Sequence, residues 1–117
     1  MKKSVLAVVL SLAMILSACQ KENPKSEYPF YAMVLGVNSD CGIYAIKILN
    51  DLPEVESIVG TTAGDSIFIA GNLPQSLQSE GEIISLAVRA PKAEELGVCT
   101  HLGPSYSWLV VVRAKKK

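Results

Sequence analysis

Glu82-Ile83-Ile84-Ser85-Leu86-Ala87-Val88-Arg89-Ala90 is the stretch on which the fold class turns. Ile84, Leu86 and Val88 share one face of an extended chain and Ile83, Ser85 and Ala87 the other, because successive side chains of a strand point to opposite sides. Both faces are nearly apolar, so this strand needs cover on both. Working outward, Asp65 to Ala70 reads as a strand rich in Ile and Phe. Ser105 to Ala114 reads as the last strand, with Trp108, Val110 and Val112 alternating against Leu109, Val111 and Arg113. Towards the amino end, Tyr28 to Asn38 is a strand with Gly36 where a bulge or sharp bend would sit. The turn cluster Asn38-Ser39-Asp40-Cys41-Gly42 then leads into a further strand, Ile43 to Asn50, which makes the two a hairpin.

Between these runs, Asp51 to Gly64 is less regular, with Pro53, three acids and room for a short strand at Val55 to Val59. Pro74 to Glu80 is suited to one or two helical turns, since proline is well placed at a helix start, and Gly81 closes that segment. Pro91 to Leu96 is suited to a short helical turn. No run of helices is long enough for parallel crossovers. The expectation is an all-β domain: a small five- to six-stranded antiparallel OB-like Greek-key barrel with one short helical turn. The order of three strands, a short helix, then two strands matches the oligonucleotide/oligosaccharide-binding barrel. An open sandwich is the alternative.

The amino end carries an address. Met1 to Lys3 is positive and Val5 to Leu16 is apolar except for Ser11, too short for a spanning helix of about 20 residues but right for a secretory signal. It ends in Leu16-Ser17-Ala18-Cys19, which resembles the lipobox of bacterial lipoproteins. That resemblance implies acylation of Cys19 after cleavage of the signal peptide, and with two or three acyl chains, stable membrane attachment. The chain then divides into a signal peptide (1–18), a polar tether (19–27), the barrel domain (28–114) and a basic tail (115–117). Gln20 is not the aspartate that retains enterobacterial lipoproteins at the inner membrane, so a lipid-anchored outer-membrane location is expected. Gln20-Lys21-Glu22-Asn23 resembles the surface-export signal of Bacteroidota lipoproteins, with one acid where that signal has two. Periplasmic and surface-facing display therefore both stay open.

Eleven Lys and Arg balance eleven Asp and Glu over the whole chain, and without Lys2 and Lys3 nine face eleven. That disfavours a basic nucleic-acid binder; no nucleic-acid partner and no cofactor are expected. With Cys19 lipidated, Cys41 and Cys99 remain, and an even count in an oxidising compartment reads as a disulfide. A ring of about 60 residues closed in this way is worth roughly 4 kcal/mol. The alternative is a metal site in which Cys99 and His101 are joined by Cys41 or Asp40; the chain has a single histidine, and tight zinc or copper sites need three or four ligands.

Asp40-Cys41-Gly42 after a first strand, Asn72-Leu73-Pro74 after a middle strand, Gly81, and Cys99 before a Gly-Pro and a last apolar strand together resemble a group of small uncharacterised Bacteroidota lipoproteins. The resemblance runs from about Met33 to Val112. It implies a compact OB-like barrel with its two cysteines bridged, and no established activity. The acidic linker from Asp51 to Gly64 departs from the group's pattern. Asp65-Ser66-Ile67 fits the three-residue O-glycosylation pattern of Bacteroidota, although Ser66 also suits the start of a strand.

Catalytic chemistry finds little to build on. Any histidine-based triad would depend on His101, and Glu54 with Glu56, or Glu94 with Glu95, reads as solvent-facing charge rather than a catalytic carboxylate pair. Gly60-Thr61-Thr62-Ala63-Gly64-Asp65 lacks the lysine and spacing of a phosphate-cradling loop. The expected function is therefore that of a non-catalytic envelope interaction module, membrane-anchored through its lipid, with an envelope protein or glycan as partner. A rival reading is a glycan- or oligonucleotide-binding module with Tyr31, Tyr44 and Trp108 on one sheet face. The terminal lysines with Arg113 form a positive patch that suits either a solvated tail or an anionic bilayer.

Overall fold

A computed structural model of the chain describes residues 27–62, 65–100 and 105–117. The signal peptide, Cys19, nearly all of the tether, and His101 lie outside the described residues. Among those described, five strands close into a barrel: β1 (Phe30–Val37), β2 (Tyr44–Ile48), β3 (Ile67–Gly71), β4 (Ile83–Arg89) and β5 (Ser107–Lys116), with one helix, α1 (Leu52–Val59). The order around the barrel is β1-β2-β3-β5-β4, with β4 returning to β1. Closure removes the open-sandwich alternative. Four of the five pairings are antiparallel, but β3 and β5 run parallel, with Phe68 opposite Ser107 and Gly71 opposite Val110. The fully antiparallel sheet expected from sequence is corrected at that seam.

The alternation read from the sequence carries through. Ile84, Leu86 and Val88 of β4 join Phe30, Ala32 and Val34 of β1, Ile46 and Ile48 of β2, and Phe68 and Ala70 of β3 in one buried core. A bulge lies between Val34 and Val37, at Gly36. Each fully buried Leu, Ile or Phe side chain contributes about 1.5–3 kcal/mol relative to an exposed one.

Three expectations change. The segment around Val55 to Val59 is helical, not a strand, so the described residues 51–62 add none. Val55 and Val59, four residues apart, are its two buried positions, the i, i+4 spacing of one helix face. Pro53 in the first turn and Gly60 at φ 86° past the end mark its limits, matching the preference for proline at helix starts and glycine at helix ends. The helix consequently sits between β2 and β3. Between β3 and β4 there is only a 3-10 turn, Gln75–Leu77, which places Leu77 in the core; a second 3-10 turn, Ala93–Glu95, follows β4.

Lastly, β5 continues past Ala114, with Lys115 opposite Ser85 and Lys116 opposite Ile84. Lys115 and Lys116 belong to the ladder rather than to a separate tail. A register shift between Ala87 and Val88 leaves one extra residue on β5, since Ala87 pairs with Arg113 and Val88 with Val111. A bulge of that kind reverses which side chains face inward. Ala114 packs against the core, and Val112 is exposed.

Candidate functional site

The Cys41–Cys99 disulfide is present, with Cα atoms 4.2 Å apart. Local chain chemistry prepares it. Asn38 Oδ1 accepts from the backbone N–H of both Asp40 and Cys41, each at 3.0 Å, and Gly42, at φ 73°, donates its N–H to the Asn38 carbonyl at 2.7 Å. This tight turn holds Cys41 at the tip of the β1–β2 hairpin. Across from it, Thr100 donates its N–H to the Asp40 carbonyl at 2.9 Å and its hydroxyl to Asp40 Oδ1 at 2.8 Å. Among the described residues, one covalent and two hydrogen bonds therefore join the β1–β2 loop to the β4–β5 loop.

The second loop is also pinned near its start. Arg89 makes a two-pronged contact with Glu95, at 2.7 and 2.6 Å, and Glu95 also accepts from the Lys92 N–H at 2.8 Å. The guanidinium hydrogen bonds hold the Glu95 carboxyl far below its ordinary range, at about 2, with the Lys92 N–H adding to the effect. The same contact raises the Arg89 pKa.

One outward-facing row of the barrel is not exposed. Ala45, Ile69 and Trp108 are successive partners across β2, β3 and β5. They lie on the face opposite to the core residues Ile46, Phe68 and Leu109, yet Ala45 and Ile69 are buried. Buried apolar groups on an outer face need a cover, and at Trp108 the β4–β5 loop supplies it. A Cβ on Gly97 would stand 2.9 Å from Trp108 Cη2, so only glycine lets the loop lie this close to the indole.

Where the loop meets the barrel it leaves an open cleft of about 320 Å³, lined by Asp40, Leu96, Val98, Tyr106, Trp108 and the disulfide. Leu96 is 50% exposed and Val98 93% exposed. Among the described residues Asp40 is the one charged side chain in the lining. The floor is aromatic and the rim aliphatic, a surface suited to taking up apolar groups.

The residues proposed from sequence as one aromatic face are not brought together. Trp108 is in this cleft, but Tyr31 lies on the outside of β1, with Lys117 Nζ 4.2 Å from its ring centroid. Tyr44 packs against the core and lines a different depression with Asn72 and Gln78. The reason is topological: β5 neighbours β3 and β4, not β1. The metal set is corrected as well, because both sulfurs of Cys41 and Cys99 are spent on each other and a disulfide offers no thiolate to a metal. Among the described residues no cluster of three His, Cys, Asp or Glu side chains is placed to hold an ion. Ser66 sits immediately before β3 at φ 62°, its carbonyl accepting from the Ile48 N–H.

Leu96, Gly97 and Val98 carried no signal as single residues. The signal lay in the cysteine pair, which brings the loop before Trp108 onto the first hairpin. Comparison of the chain with family models, with curated proteins and with solved structures finds no match.

Proposed function

We propose that the chain is a cell-envelope lipoprotein, anchored at the outer membrane through acylated Cys19, whose OB-like Greek-key barrel is a non-catalytic interaction module that binds a protein partner at the Trp108 cleft. The observation that carries this reading is the cleft itself. In OB-type barrels, ligands meet the face of strands 2 and 3 between the loops joining strands 1 to 2 and 4 to 5, and the cleft lies between the corresponding loops here. The strand order and the parallel β3–β5 seam support the OB-like assignment; the helix between β2 and β3 is a departure from the expected arrangement. A barrel of this kind hosts many functions, so the choice of ligand rests on the lining.

The lining favours protein. Aromatic groups at a centre with an exposed aliphatic rim are the composition of an interface anchor site. Asp40, an acid in the lining, is poorly matched to a polyanionic oligonucleotide. The disulfide accords with an exported chain, as does the signal-like amino end. A glycan is the second reading, favoured by Tyr106 and Trp108 beside the Asp40 carboxylate.

In-cell photo-crosslinking decides between them. A photoreactive residue at Val98 should give a discrete adduct that Trp108→Ala abolishes, and the same probe at exposed Ser76 should not. Equal, diffuse adducts from both positions would remove the protein-binding reading. The glycan reading requires a Trp108 emission shift with a soluble glycan panel.

A further inference from the structure

A second surface, remote from the cleft, combines cations, aromatic rings and the point where the tether joins the domain. Tyr31, Ser85 and Lys115 are successive partners across the outside of β1, β4 and β5. Lys117 continues the edge, donating its N–H to the Ile83 carbonyl at 3.1 Å. Lys115 Nζ stands 4.6 Å from the Tyr28 ring centroid and Lys117 Nζ 4.2 Å from that of Tyr31. Arg113 donates to the Glu27 carbonyl at 3.2 Å, which lays the incoming chain along the same face. Lys116 is paired with Glu82 at 3.9 Å, so the cationic character of the surface comes from Arg113, Lys115 and Lys117. Met33 and Ile83, paired with one another on the outer side, add an apolar strip beside the rings.

We infer that this Tyr28–Tyr31–Lys115–Lys117 ridge rests on anionic lipid headgroups and sets the orientation of the barrel on its membrane. The inference builds on the lipid-anchor reading and goes beyond it. Seven residues separate Cys19 from Glu27, so eight backbone steps give a reach of about 28 Å at full extension. A lipid on Cys19 therefore keeps Arg113 and its neighbours within a short distance of headgroups. Tyrosines and lysines are the side chains suited to that layer: an amphipathic ring at headgroup level, and an ammonium reaching into phosphate from an apolar stem. Anionic lipid attracts such cations over no more than a Debye length, so contact requires the tether to bring them there.

The consequence is directional. Trp108 is seven residues before Lys115 on β5, about 23 Å along a strand. Its outer row runs to β3 and β2, whereas that of Lys115 runs to β4 and β1. Resting the ridge on the bilayer turns the cleft away from it, towards a partner.

The test is lysine footprinting of the full processed chain, metabolically labelled with an alkyne fatty acid and reconstituted into vesicles. One set is phosphatidylcholine alone, the other phosphatidylcholine mixed with phosphatidylglycerol. Acetylation of Lys115 and Lys117, each relative to Lys92 on the β4–β5 loop, should fall severalfold in the anionic vesicles and recover at high salt. Equal rates in both vesicle types, with Cys19 labelled, overturn the ridge and leave the anchor standing. Protection that instead follows protein concentration, without regard to lipid charge, assigns the face to a second copy of the chain and also overturns it. An unlabelled Cys19 removes the anchor and this inference with it, and the acyl label tells that failure from the others.

Discussion

Replacing Cys41 and Cys99 together by serine removes a cross-link between positions 58 apart in sequence. In the loop-closure model the constraint on the unfolded chain grows with the logarithm of the ring size, and at this separation it amounts to about 4 kcal/mol at 25 °C. Little else should change at the two sites, since both cysteines are only partly buried and serine is nearly isosteric. The two hydrogen bonds from Thr100 to Asp40 would remain to hold the loops, at about 1 kcal/mol each, well short of compensation. Against a net stability of about 5–15 kcal/mol for a small domain, the loss is large. At about 4–8 °C per kcal/mol, Tm should fall by roughly 20 °C. Urea unfolding of the chain from Glu27 onward, which carries every core residue, measures the difference; reductant on the parent protein should reproduce the serine variant. A loss below about 1 kcal/mol would refute the reasoning, because the ring would then impose no constraint that the unfolded chain lacks.

Other consequences are narrower. Gly97→Ala introduces a methyl group 2.9 Å from the Trp108 indole, so the loop must lift; a destabilisation of about 1 kcal/mol with a shift in Trp108 emission is expected, whereas Gly81→Ala, with nothing near the added group, should leave the emission unchanged. Phe68→Ala empties the barrel's centre, where Phe68 is fully buried, and should cost about 3–5 kcal/mol by urea unfolding. Glu95 has a folded pKa below its ordinary 4.5, at about 2. Its stabilisation of the loop is therefore complete above pH 4.5 and is lost as pH falls from 4.5 towards 2. Nuclear magnetic resonance titration of the Glu95 carboxyl should report the low midpoint, and Arg89→Gln should return it towards 4.5.

What could be read in the chain follows the range of the interactions involved. The faces of β4 were legible because alternation is a property of neighbouring residues, and Gly36 marked its bulge for the same reason. Helix α1 was misread because Val55, Ile58 and Val59 are β-branched, which favours strand locally, while burial of the i, i+4 pair Val55 and Val59 was decided by the barrel. The parallel seam of β3 with β5 joins segments almost 40 residues apart and leaves no local trace. Nor does the bulge on β5, which turns Arg113 outward and brings Ala114 to the core. The disulfide was legible from the cysteine count together with the expectation of export, yet its effect on Trp108 was not, since the cleft exists only where two distant loops meet. Tyr31 and Tyr44 fell into the expected aromatic face by composition alone, and strand order separates them.

Trp108 is the protein's single tryptophan, so acrylamide quenching of its fluorescence reads the contact of the β4–β5 loop with the indole without interference. Comparing the oxidised protein with the reduced protein, under conditions where far-ultraviolet circular dichroism shows the barrel intact in both, isolates the staple. Quenching should rise severalfold once Cys41 and Cys99 are reduced and the β4–β5 loop is released from the indole. Equal quenching in the two states would mean that the disulfide does not hold the loop over Trp108, and the cleft would lose its physical basis.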